Sequence, residues 1–105
     1  MNRLQKWRIC RKYSSLGSMI RVFFSPQDCD SFGETIEVIT QSYQEVFPGK
    51  EAQQALKTQI KEMLETTDDV DLSKRMSLIT EEEFNPVKWG ETWRSFLLRV
   101  LAVLE

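Results

Sequence analysis

The side chains best suited to chemistry in this sequence are carboxylates and two thiols. Glu81, Glu82 and Glu83 form one acidic run, and Asp68, Asp69 and Asp71 form a second cluster. Paired carboxylates serve acid–base catalysis when burial or mutual coupling separates their pKa values. Both groups fall where a polar connection and a fraying helix end are expected, so solvated surface is the better reading. Around Asp68 the loop glycine and distant bidentate glutamate of a calcium loop are missing. Cys10 and Cys29 lack a Cys-x-x-Cys arrangement or a neighbouring soft ligand, which argues against zinc or dithiol redox chemistry and for two reduced thiols. No histidine is present, so Ser-His-Asp and Cys-His catalysis and imidazole metal ligation have no residue to use. The expectation is a chain with no catalytic residue, no metal and no cofactor.

Charge offers a different handle. Arg3, Lys6, Arg8, Arg11, Lys12 and Arg21 stand in the first 27 residues without a single acid, although the whole chain carries −2. Such a basic start has three readings: a nucleic-acid or anionic-membrane patch, a mitochondrial targeting segment, or an element that docks on the acidic remainder. In the nucleic-acid reading, Trp7, Tyr13, Phe23 or Phe24 would stack on bases. The targeting reading has the right composition, but Arg8 and Arg11 flank Leu4 and Trp7 on one side of the helical wheel, which blurs an amphipathic face. A charged opening without an apolar core region is not a secretory signal, and a cytoplasmic location is expected, with a mitochondrial one as the alternative. No segment has enough consecutive apolar residues to span a bilayer.

These groups must be positioned by one domain covering residues 1–105, since a chain of this length buries roughly two thirds of its unfolded surface and supports one core. The fold expected is mainly α, a compact helical bundle around a hydrophobic C-terminal helix. The alternative is α+β, an N-terminal β-hairpin followed by four helices. The hairpin option comes from alternation over residues 6–13 and the β-branched and aromatic stretch Met19–Phe24. A first helix from about Asn2 to Tyr13, ended near Gly17, competes with it.

From Asp30 onward the pattern is helical. Ser31 and Glu34 have capping-box spacing before Ile36, Ile39, Tyr43, Val46 and Phe47, which share one helical face. Pro48-Gly49 stops that helix. A second is expected from Lys50 to Glu65, with Leu56, Ile60 and Met63 on the inner face, and a third is capped by Asp71 and carries Leu72, Met76 and Ile79. Asn85-Pro86 then admits a last helix over Val87–Leu104, with Trp89, Trp93, Phe96, Leu97, Val100, Leu101 and Leu104 in a broad apolar stripe.

Two residues stand out on that last segment. A glycine inside a helix costs up to about 1 kcal/mol relative to alanine, so Gly90 marks either close approach by a neighbour or a helix start where the cost is small. Leu98 falls on the wheel among Glu91, Arg94, Ser95 and Ala102, so another layer covers it or it contributes to a partner surface.

The stretch Thr80-Glu81-Glu82-Glu83-Phe84-Asn85-Pro86-Val87-Lys88-Trp89-Gly90, followed by an apolar helix, resembles the first homology region of the Bcl family of apoptosis regulators. Asn2-Arg3 and Lys12-Tyr13-Ser14 are similar to that family's opening helix. The resemblance implies a helical protein that modulates cell death or innate signalling by binding a partner helix, as a short or virus-type member. Glu91 stands where ligand-binding members carry arginine, so an acidic death-motif helix would be repelled.

The sequence therefore points to a non-enzymatic protein-binding module. Its expected contact residues are Gly90, Glu91, Arg94 and Leu98, with Leu56, Ile60 and Met63 as groove walls or core, and its expected partner is another protein met through a helix. The alternative is a small nucleic-acid-binding protein using Arg3, Lys6, Arg8, Arg11, Lys12 and Arg21.

Overall fold

The computed structural model describes residues 2–24, 34–82 and 84–105, and all regular structure among them is helical. The α-helices are α1 (Arg3–Lys12), α2 (Ser14–Phe23), α3 (Ile36–Val46), α4 (Lys50–Leu64), α5 (Asp69–Ile79) and α6 (Trp93–Leu104), with a 3-10 turn at Pro86–Trp89. The radius of gyration, 12.9 Å, equals the roughly 13 Å of a compact domain of this size. The mainly α expectation holds, and the hairpin alternative does not.

The hairpin fails for local and tertiary reasons. Asn2 opens α1 with a capping box: its side chain accepts from the Gln5 backbone N–H at 2.8 Å while the Gln5 side chain accepts from the Asn2 N–H at 3.1 Å. The alternation over residues 6–13 marks no sheet face, because α1 buries no residue at all. In α2 the apolar residues of the supposed strand fall at helical spacing, and Leu16, Met19, Ile20 and Phe23 all enter the core.

Gly17, expected to end the first helix, lies inside α2 and is buried. A Cβ there would sit 2.7 Å from the carbonyl oxygen of Ile79. The glycine thus lets α2 cross the C-terminal end of α5 backbone to backbone. Arg21, one turn on, donates to the same Ile79 oxygen at 2.7 Å and satisfies a carbonyl that the helix end leaves open.

The boundaries of the later helices move as well. Thr35 caps α3, accepting from Val38 N–H at 3.1 Å; Ser31, the expected cap, lies outside the described residues. Ile36, Ile39, Thr40 and Tyr43 are buried, whereas Val46 and Phe47 at the end of the expected stripe are exposed. Asp68 caps α5 by accepting from Val70 N–H at 3.0 Å, so Asp71 sits within the first turn and pairs with Arg75 instead. The last helix begins at Trp93 rather than Val87, because Asn85 and Pro86 start a 3-10 turn that Gly90 ends at φ +74°. Thr92 and Ser95 then form a capping box that opens α6.

Helix α6 packs against α3, α4 and α5, as expected of a central element, but α2 is equally central and touches α1, α3, α4 and α5. Phe24, Phe84, Trp89, Trp93 and Phe96 knit the two together, with Phe24 edge-on to Phe96 at 5.0 Å between ring centroids. Two buried hydroxyls, on Thr40 and Thr80, are satisfied by the carbonyls of Ile36 and Met76 one turn earlier, at 2.8 and 2.7 Å.

Candidate functional site

The outward side of α6 is built from residues that the apolar stripe leaves over. Trp93, Phe96, Leu97, Val100 and Leu104 face inward, so Leu98 turns out and is 52% exposed. Its two flanks are tied down. On one side Arg94 donates to Leu64 O at 3.2 Å and Thr66 O at 2.6 Å, closing the C-terminal end of α4, and pairs with Asp69 at 2.9 Å. On the other side Arg99 takes the Glu37 carboxylate in a bidentate grip, at 2.8 and 2.6 Å, and also pairs with Glu91. Ser95 donates to the second oxygen of Glu91. Leu98 is thus an exposed apolar side chain on a helix held by ion pairs to the start of α5 and to α3.

The electrostatics follow from those contacts. Glu37 titrates below the ordinary glutamate value chiefly because Arg99 hydrogen-bonds its ionised form. Glu91 is lowered first by the Ser95 hydroxyl and then by Arg99. Arg99 is raised by its hydrogen bonds to Glu37 and Glu91 and stays charged.

Of the seven residues expected at a protein contact, Glu91, Arg94 and Leu98 are brought to this side of the molecule. Gly90 precedes them in a left-handed conformation, and nothing lies within 4 Å of where its Cβ would be. Backbone conformation, and neither close approach nor a helix start, explains that glycine. Leu56, Ile60 and Met63 are each 0% exposed; they are core and offer no wall to a partner.

Sequence reasoning missed Arg99 and Glu37. The Glu91, Ser95, Arg99 spacing of one helical turn could have suggested part of the network. Glu37 lies 62 positions from Arg99, and no local signal links them.

The basic residues divide into two sets. Lys12 pairs with Glu62 at 3.4 Å, and Arg21 serves Ile79 O and lies 3.9 Å from Glu81. These two dock on the acidic remainder. Arg3, Lys6, Arg8 and Arg11 form no ion pair among the described residues, and Arg11 lies over the Trp7 ring at 5.2 Å. Tyr13, Phe23 and Phe24, weighed as stacking residues, are buried. From Tyr13 onward the chain enters the core.

Among the described residues no arrangement for catalysis stands out. The acidic run at Glu81 and Glu82 is exposed with positive φ at both residues, and the larger concavities open broadly to solvent. Cys10 is an exposed free thiol; Cys29 lies outside the described residues. Among the described residues no group of three or more His, Cys, Asp or Glu is placed to hold a metal ion, and no helix is long and apolar enough to cross a membrane.

Comparison with known proteins supplies what the geometry leaves open. No curated protein and no solved structure matches the chain. A family profile described as CdiI immunity protein matches residues 12–104, nearly the whole folded region. That match overturns the Bcl resemblance and the apoptotic role it implied. The resemblance rested on Trp89-Gly90 opening a central helix, whereas here that pair ends a 3-10 turn three residues before α6. Family membership is consistent with a protein that binds another protein, and not with apoptosis regulation. It gives the mitochondrial alternative no support. By this match over most of its length, the chain belongs to the CdiI immunity protein family.

Proposed function

We propose that this chain neutralises a protein toxin by binding it one to one, without chemistry of its own, and that the outer side of α6 is part of the contact surface. Family membership supports the partner class. The observation that carries the site is Leu98, 52% exposed on an otherwise core helix and flanked by locked charges. A rigid apolar anchor with an ordered polar rim loses little freedom on binding, which favours affinity. In this arrangement Leu98 enters a pocket or groove of the toxin. Glu91 and Arg94 form the rim, and the turn at Gly90 leaves the approach open. The cytoplasmic location expected from the sequence accords with this role.

The test is co-expression of the chain with its partner toxin, read as restored growth, followed by titration calorimetry on the purified pair. Wild type protects and forms a stoichiometric complex. Leu98→Asp weakens binding by at least about tenfold, equivalent to roughly 1.4 kcal/mol, while helicity and denaturation midpoint stay unchanged. Unchanged affinity for a folded Leu98→Asp chain would move the contact off α6. Failure of wild type to bind any toxin would sink the reading as a whole.

A further inference from the structure

We infer that α1 and the cleft beneath it form a binding strip for single-stranded nucleic acid, separate from the α6 surface. The family match begins at Lys12, so almost all of α1 lies outside the segment that defines the immunity fold. No residue of this helix is fully buried, Ile9 alone resting partly against the core, and from Asn2 to Phe24 the chain carries no acid. Arg3, Lys6, Arg8 and Arg11 are without ion pairs among the described residues, which leaves their charge available to a polyanion. From Arg3 to Arg11 the helix advances roughly 12 Å at 1.5 Å per residue, long enough to meet more than one phosphate of a strand.

Two further observations select the ligand. First, Trp7 is 56% exposed in the middle of this strip. Arg11 lies 5.2 Å from its ring centroid, and an indole backed by a guanidinium is a platform for an unpaired base. Second, a cleft of about 290 Å³ between α1 and α5 is lined by Gln5, Arg8, Ile9 and Arg75, two guanidiniums and an amide with no acid among them. Arg75 is already paired with Asp71, Nε to Oδ2 at 3.3 Å, so among the described residues Arg8 is the cation of this cleft without an ion pair. A phosphate in that cleft would meet Arg8 while the adjoining base reaches Trp7. Duplex would keep its bases stacked and unavailable to Trp7, so the strip suits a single strand. Lys12, Arg21 and Arg75, each paired within the fold, take no part.

The test is fluorescence anisotropy of short labelled single strands, RNA and DNA of mixed sequence, titrated with the full chain over a salt series. A duplex and a polyglutamate peptide serve as competitors. The expected result is binding to a single strand whose log affinity falls linearly with log salt. Arg8→Gln lowers the magnitude of the salt slope by about one. Trp7→Ala weakens binding roughly tenfold to a hundredfold, with partial rescue by Trp7→Phe. Leu98→Asp leaves nucleic-acid binding intact, which separates this strip from the toxin surface. No salt-dependent binding, equal binding by the Arg8 and Trp7 variants, or displacement by polyglutamate but not by unlabelled strand would overturn the inference. Circular dichroism of each variant identifies any that fail to fold, and charge reversal at the exposed Arg3 provides a second route to the same readout.

Discussion

Helices α1 and α6 begin alike and end in opposite situations. Each opens with a capping box, Asn2 with Gln5 and Thr92 with Ser95, and each mixes arginines with large apolar side chains. In α6 the apolar residues fall within one arc, so the helix enters the core and its arginines are left at the edges, where they reach neighbouring elements. In α1 Leu4 and Trp7 share their side with Arg8 and Arg11, and the helix stays outside, resting on α2 and α5. Capping decides where a helix starts; the angular spread of its apolar residues decides whether it is buried.

The sharpest way to break this comparison is to truncate an aromatic side chain in each helix. Phe96 is 0% exposed and packs against Phe24, Phe84 and Trp93. Phe96→Ala is expected to cost about 3–5 kcal/mol in urea unfolding, whereas Trp7→Ala changes stability by no more than about 0.5 kcal/mol. Comparable losses for the two variants would show that α1 is a core element after all.

A smaller effect is expected where α2 meets α5. Gly17→Ala places a methyl 2.7 Å from a backbone oxygen, and the required shift should cost about 1–3 kcal/mol. The same chemical change would stabilise an ordinary helix interior. A Tm at or above that of wild type would therefore disprove the close crossing.

The smallest effect concerns the charged flank of α6. Glu37 and Glu91 titrate below their ordinary value of 4.5 in the folded chain. The folded state thus binds fewer protons than the unfolded chain as the medium is acidified. The stability contributed by these carboxylates is complete above pH 4.5 and is lost as pH falls through their lower folded values. Arg99→Gln should be less stable than wild type at neutral pH, and the gap should narrow below pH 4.5. Because Arg99 and Glu37 are partly exposed, added salt should shrink the gap as well. A gap that persists unchanged into acid would mean that Arg99 acts by packing rather than by charge.

Much of the fold was legible because helices announce themselves locally. The inner residues of α4 and α5, Leu56, Ile60, Met63, Leu72, Met76 and Ile79, are those their spacing selected, and all are buried. Residues 13–24 were hard to read because a short apolar run satisfies strand and helix periods almost equally. Gly90 misled because a glycine needed for positive φ looks, in sequence, like one needed for close contact. The glycine of close contact, Gly17, was read as a helix end.

Composition and spacing alone determined that the later segments are helical, that histidine chemistry is excluded, and that Leu98 falls outside the buried stripe, since each depends only on residue type or on neighbours within a few turns. Only the tertiary structure decided that Arg94 closes the end of α4, that Arg99 holds Glu37, and that Arg8 and Arg75 line one cleft. Those pairings join residues far apart in the chain, and their partners are set by how helices cross, which no local pattern of side chains encodes.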